Sequence, residues 1–254
     1  MRESKVKTKL RKGEPVLGII APNQDPTIAE MIGMLGFDFY MIDGEHGAIS
    51  PSQAEQLVRA CETAEITPLA RVRSNDPKLL SQFLDAGVMG IMMPGLMNAE
   101  DVRAFVSAVK YPPLGGRGLG PIRAADYMIG PTPQAKYVQF ANEQTLVLPQ
   151  FEDIEAFEYL PEMVRVKGID GFVIGPRDLA MSMGFYDGPN HPEVQAMIGK
   201  VVDIVLGAGL AVGNTAGTGE VAKSLIARGI KICINSVPNL IASSGKAFLK
   251  AARE

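Results

Sequence analysis

The chain has no tryptophan, two cysteines and two histidines in 254 residues, and each scarcity removes a class of chemistry. Cys61 and Cys233 are too few and too far apart for a disulfide framework, and two histidines do not complete the nitrogen and sulfur cage that zinc usually takes. Each cysteine sits in an apolar repeat, which predicts buried free thiols in a reducing compartment. An excess of charge is missing too: the net charge is −3, and basic residues are scattered apart from a short start at Arg2, Lys5, Lys7, Lys9, Arg11 and Lys12. That balance argues against a nucleic-acid partner. No run of about 18 apolar residues exists to span a bilayer, and no apolar stretch follows the basic start as a secretory signal requires. The expectation is a cytoplasmic protein with neither membrane nor nucleic acid as its partner.

What is present is apolar sequence in short, regular pieces. Hydrophobic residues make up 46% of the chain, enough for a sizeable core, and the length suits one (β/α)₈ barrel domain over residues 1–254. Short β-type runs alternate with helical patterns, the signature of parallel βα units. Eight strands are predicted over 16–21, 39–42, 68–72, 90–94, 145–151, 171–174, 210–213 and 231–235. Their apolar content lacks strict alternation, as expected of strands covered on both faces. The helices between them carry starts and stops. Ser50-Pro51-Ser52-Gln53 reads as a capping box, Asp76-Pro77 as a helix start ending at Gly87, and Thr218 and Gly229 bracket a later helix. Two stretches break the rhythm: a Gly-, Pro- and Arg-rich segment from Tyr111 to about Thr132, and a loop over 185–192 that carries His191.

In such a barrel the chemistry sits at the carboxyl ends of the strands. Polar residues gather at those ends: Asp43, Glu45 and His46 after the second strand, Arg71 after the third, Gln150 and Glu152 at the fifth, and Pro176, Arg177 and Asp178 after the sixth. Glu152 and Asp178 belong to neighbouring strands, about 4.8 Å apart in a sheet, so both carboxylates can meet one cation. Oxygen ligands select Mg²⁺ or Mn²⁺ (with Co²⁺ as an option) over zinc. The competing reading of Asp178 is a helix cap. His46 is the candidate base, with Asp43 three residues earlier to hold its ring. Arg71 either stabilises a developing enolate oxygen or forms a salt bridge to Glu45 or another rim carboxylate. The glycines of 115–120 lack the order of a dinucleotide-binding loop.

Taken in order, Asp43-Gly44-Glu45-His46, Arg71 with Asn75-Asp76-Pro77, Leu84-Asp85-Ala86-Gly87, Lys110-Tyr111-Pro112-Pro113, Gly116-Arg117-Gly118, Gln150 with Glu152, Gly175-Pro176 with Asp178-Leu179, and His191-Pro192 form a pattern over nearly the whole chain. It resembles the HpcH/HpaI class of pyruvate- and metal-dependent aldolases, which includes 4-hydroxy-2-oxoheptanedioate and 2-keto-3-deoxy sugar-acid aldolases. The resemblance implies a pyruvate-binding type of (β/α)₈ barrel that cleaves a 4-hydroxy-2-oxo acid reversibly to pyruvate and an aldehyde. It implies Glu152 and Asp178 as metal ligands, His46 with Asp43 as the base, and Arg71 at the keto and enolate oxygen. Gln150 and the backbone around Pro176, Arg177 and Asp178 would receive pyruvate. It also implies a homo-hexamer built as a trimer of dimers, with the C-terminal helix (240–252) swapped onto a neighbour. Two departures stand out. Arg177 replaces a small or neutral residue and either shifts substrate preference towards anionic aldehydes or points to solvent, and Pro149 replaces an aliphatic one, with a local bulge expected beside Glu152. Rival readings are oxaloacetate decarboxylation, a citrate-lyase-like acyl-CoA lyase, and a non-catalytic barrel that binds an oxo acid.

Overall fold

The computed structural model describes residues 2–254. Eight parallel strands, β1 (Val16–Ala21), β2 (Phe39–Gly44), β3 (Thr67–Val72), β4 (Gly90–Met93), β5 (Leu146–Phe151), β6 (Gly171–Ile174), β7 (Ala211–Thr215) and β8 (Ile232–Ser236), close on one another in sequence order. The barrel is sealed where β1 pairs with β8, from Val16 opposite Ile232 to Ile20 opposite Ser236. All eight strands fall within two residues of their sequence-predicted bounds.

Strand periodicity sorts the core into two layers. Alternate residues such as Phe39, Met41, Leu69, Leu146, Leu148, Ile232 and Ile234 fill the interior, while Tyr40, Ile42, Ala70, Val147 and Val212 face the surrounding helices. The interior is packed by pairing small against large. A side chain on Gly18 would collide with the ring of Phe39, and one on Gly90 would meet Leu146 at 2.6 Å. The same alternation carries Asp43, Arg71 and Gln150 into the upper interior layer, because each continues its strand's inward set.

The outer helices are α2 (Pro26–Met34), α3 (Pro51–Thr63), α4 (Pro77–Ala86), α5 (Ala99–Val109), α6 (Gln134–Gln144), α7 (Leu160–Met163), α8 (Pro176–Ser182), α9 (Pro192–Gly207), α10 (Gly219–Ala227) and α11 (Val237–Arg253). The Ser50–Gln53 capping box forms reciprocally, and Asp76 and Thr218 cap α4 and α10 as read from sequence. His191 is the N-cap of α9, with its Nδ1 accepting from the Glu193 amide and its ring stacked on Phe185.

The basic start has a different fate from a disordered arm. Lys5–Arg11 forms a short helix, α1, whose Val6 joins the interior cluster and closes the barrel mouth at the strands' amino ends. Lys7 follows it inward, and its Nζ donates to Thr145 O at 3.0 Å and lies 3.1 Å from Asp170 Oδ1. The Gly-rich stretch is anchored at this same end. Lys110 Nζ donates to Asn142 O and Thr145 O, Arg117 pairs with Asp85 at 2.7 Å and lies over the Tyr111 ring, and Arg123 grips Glu62 and Ala86 O. Residues 117–127 therefore lie at the face opposite their own chain's strand carboxyl ends. They cannot line a cleft at those carboxyl ends.

Pro149 produces no bulge. β4 and β5 stay in step from Gly90 opposite Leu146 to Met93 opposite Pro149. The proline's missing N–H leaves the register intact, and Gln150 and Phe151 continue the pairing with β6.

Candidate active site

A cleft of about 570 Å³ opens at the strands' carboxyl ends, lined among others by Asp43, His46, Arg71, Gln150, Pro176, Arg177 and Asp178. Seven of the eight sequence-predicted site residues thus border one space. Glu152 stands beside it, two residues beyond Gln150 in the same strand direction, and hydrogen-bonds to the Gln150 amide.

Asp43 is the most heavily bonded group in the cleft. Its carboxylate accepts from Arg71 Nε at 3.0 Å and Nη2 at 2.7 Å, and from the backbone amides of Glu45 and His46 at 3.2 Å each. Burial works against the Asp43 charge. The Arg71 hydrogen bonds and charge, followed by the two amides, outweigh it and hold the carboxyl below the usual carboxylate range. The expectation that Asp43 braces the His46 ring is corrected by this geometry. The Asp-Gly turn spends one carboxylate oxygen on the amides two and three residues ahead, and Arg71 takes the rest. The His46 ring, 63% exposed, has Glu45 Oε2 as its nearest acid at 3.9 Å.

Arg71 also lies 3.1 Å from Glu45 Oε2. Its Nε–H is directed at Asp43, so that buried Glu45 oxygen has no hydrogen-bond donor. Burial, then the neighbouring charges of Asp43 and Asp178 against the relief from Arg71 and His46, leaves the Glu45 carboxyl raised. Glu152 is raised as well, first by burial and then by Glu45 and Asp178, although Gln150 and the Gly95 amide (2.9 Å) hydrogen-bond to it. Glu45 has a role in sequence reasoning only as a salt-bridge partner of Arg71, the contact seen here at 3.1 Å. Its place between two other acids in the Asp-Gly-Glu-His turn was the available signal.

Four carboxylates, Asp43 and Asp178 in the cleft wall and Glu45 and Glu152 beside it, therefore neighbour one another where only Arg71 and Arg177 supply guanidinium charge. An acid surplus of this kind is costly without a cation. Gly175 keeps room for it: a Cβ there would lie 2.9 Å from Gln150 Nε2 and 3.1 Å from Glu152 Oε2. Among the described residues no group of three or more His, Cys, Asp or Glu side chains forms a complete cage. Two carboxylates with open positions suit a hard divalent ion that keeps water or takes substrate oxygens. The donor set fits a divalent cation that prefers oxygen ligands.

Comparisons with known proteins give the family. Residues 17–233 match the family model described as HpcH/HpaI aldolase/citrate lyase. A 4-hydroxy-2-oxo-heptane-1,7-dioate aldolase from Shigella sonnei (strain Ss046) is 34% identical over 247 residues, covering 97% of this chain and 94% of that protein. A 2-dehydro-3,6-dideoxy-6-sulfogluconate aldolase from Pseudomonas putida is 35% identical over 221 residues, covering 87% and 85%. The crystal structure of an HpcH/HpaI aldolase from Desulfitobacterium hafniense DCB-2 superimposes with a TM-score of 0.91 at 28% identity, over 98% of this chain and 96% of that one. With its closed parallel barrel and its acid-rich cleft at the strands' carboxyl ends, the chain belongs to the HpcH/HpaI aldolase/citrate lyase family of carbon–carbon lyases.

Proposed function

We propose that the protein is a divalent-metal-dependent aldolase that reversibly cleaves a 4-hydroxy-2-oxo acid to pyruvate and an aldehyde. The observation that carries this reading is the acid surplus around Glu152 and Asp178 beside an arginine held rigidly by Asp43. Glu152 and Asp178 would hold Mg²⁺ or Mn²⁺, which supplies Lewis-acid polarisation of a 2-oxo acid. Arg71, fixed in orientation by two hydrogen bonds, donates to the oxygen that gains charge as the carbon–carbon bond breaks. Gln150 orients the oxo acid from the floor of the cleft, and the free amides of Arg177 and Asp178 in the first turn of α8 face its carboxylate. His46, exposed at the rim, takes the proton of the substrate's 4-hydroxyl on cleavage and returns it on condensation.

The whole chain acts as one barrel domain in this reading. The buried free thiols of Cys61 and Cys233 fit a cytoplasmic enzyme, and among the described residues no helix is long and apolar enough to cross a membrane. Association of several copies, which the resemblance implies as a homo-hexamer built as a trimer of dimers, is supported by the exposed apolar side of α11, where Ile241 and Phe248 are 65% and 73% exposed.

The test is exchange of pyruvate methyl protons in heavy water. Exchange should require added Mg²⁺ or Mn²⁺, stop on chelation, and vanish in Glu152→Ala. Borohydride with pyruvate should trap no adduct. Exchange that persists in chelator, or a trapped adduct, overturns the reading.

A further inference from the structure

The cleft is charged on one side only. Its ionisable lining residues are Asp43, His46, Arg71, Arg177 and Asp178, and all come from the β2, β3 and β6 ends. The β7 and β8 ends and the start of α11 contribute Thr215, Asn235, Ser236 and Asn239, set among Ile234 and Pro238. A metal-bound oxo acid occupies the charged side in the reading above, on which this inference rests. The second carbon fragment is then left with the neutral side.

That neutral side is a fixed network. Asn239 Nδ2 donates to Gly217 O and to Asn235 Oδ1, both at 2.8 Å. Asn235 Oδ1 also accepts the Ser236 amide at 2.7 Å, and Ser236 Oγ accepts the Asn239 amide at 3.2 Å as the N-cap of α11. Both Nδ2 hydrogens of Asn239 are spent, so its orientation is set and its Oδ1 has no protein partner. The Ser236 hydroxyl hydrogen is equally unclaimed. One free acceptor and one free donor therefore sit three residues apart on the first turn of a helix, at the cleft wall.

We propose that Asn239 and Ser236 determine aldehyde specificity, and that they select a neutral hydroxyaldehyde. A hydroxyl group is both donor and acceptor: it gives its hydrogen to Asn239 Oδ1 and receives one from Ser236 Oγ. A carboxylate-terminated semialdehyde has no hydrogen for Asn239 Oδ1 and sets its charge against that oxygen. A plain alkyl aldehyde leaves both groups unpaired.

The experiment measures kcat/KM for condensation of pyruvate with glyceraldehyde, propanal and succinic semialdehyde, with Mn²⁺ present. The wild-type protein should favour glyceraldehyde over both others. In Asn239→Leu and Ser236→Ala the glyceraldehyde-to-propanal ratio should fall roughly tenfold, the loss of about one hydrogen bond. A ratio taken on one preparation is independent of how much of a variant is folded. Preference of the wild type for the semialdehyde, or an unchanged ratio in both variants, overturns the assignment. Pyruvate proton exchange by the wild type separates the two readings. Exchange without hydroxyaldehyde preference rejects this specificity alone, whereas absence of exchange rejects the aldolase reading beneath it.

Discussion

At the scale of single residues, Asp43 is the position on which the cleft's geometry turns. It receives four hydrogen bonds and contributes none to the His46 ring, so its role is to hold Arg71 and the 45–46 turn. Asp43→Asn keeps the size but presents an amide hydrogen edge to the guanidinium. Turnover should fall about a hundredfold, the usual scale for losing one aimed oxyanion donor, mainly in kcat. Retention of full kcat would show that Arg71 needs no brace. The same carboxylate sets an acid limit on stability. Its folded pKa lies below the unfolded value near 4, so its stabilisation is complete above that value and is lost as pH falls through the folded one. Thermal melts between pH 5 and 3 should drop more steeply for the wild type than for Asp43→Asn. Parallel curves would contradict that linkage. Sequence reasoning found Asp43, Arg71 and His46 because each ends a strand. Its pairing of Arg71 with Glu45 or another rim acid is the contact that forms, across β2 and β3, whereas its pairing of Asp43 with the His46 ring does not form, because the Asp-Gly turn consumes Asp43 locally.

At the scale of elements, the strands were legible and two helices were not. Runs such as Leu146-Val147-Leu148 and Gly171-Phe172-Val173-Ile174 are apolar on both faces and bounded by turns, so their place in a parallel sheet can be read directly. The helix α1 was hidden because only Val6 and Leu10 mark its buried side, within a basic run that looks solvated. The helix α6 escaped because it buries few residues and follows a loop of glycines and prolines. That loop is pinned by Arg123, which reaches Ala86 O just before Gly87. Gly87 ends α4 with φ of 108°, and a Cβ there would lie 2.6 Å from Arg123 Nη1. Gly87→Ala should therefore cost about 1–3 kcal/mol in urea unfolding; a loss under a few tenths would mean the loop yields freely. Lys110, at the same face, adds a second pH effect. Burial, then the charge of Lys7, pushes its amine down to about 7. A neutral amine has two hydrogens, matching its two carbonyl partners, Asn142 O and Thr145 O. Because the unfolded chain keeps that proton up to about 10.4, stability should rise with pH from 7 towards 9. Lys110→Met should flatten the rise.

At the scale of the whole molecule, the barrel leaves apolar surface that it cannot bury alone. The helix α11 meets the barrel through Val237 and a partly buried Leu240, then extends with Ile241, Phe248 and Leu249 exposed. Met31, Met34 and Leu35 near the end of α2 form a second exposed apolar group. Positions 241, 245, 248 and 252 recur on one face of a helix, and Gly245 between Ile241 and Phe248, with Ala252 one turn further on, permits close approach. A second copy of the chain that covers this face removes the cost of hydrating it and shelters α11. Phe248→Glu places a charge at the centre of that stripe, which an apolar contact does not tolerate unpaired. Light scattering after size exclusion should give an assembly of several subunits for the wild type and a smaller species for Phe248→Glu. The folded barrel should persist in the variant, because residue 248 makes no contribution to the barrel core. A monomeric wild type, or a variant that stays fully assembled, would show that α11 is not the contact between subunits.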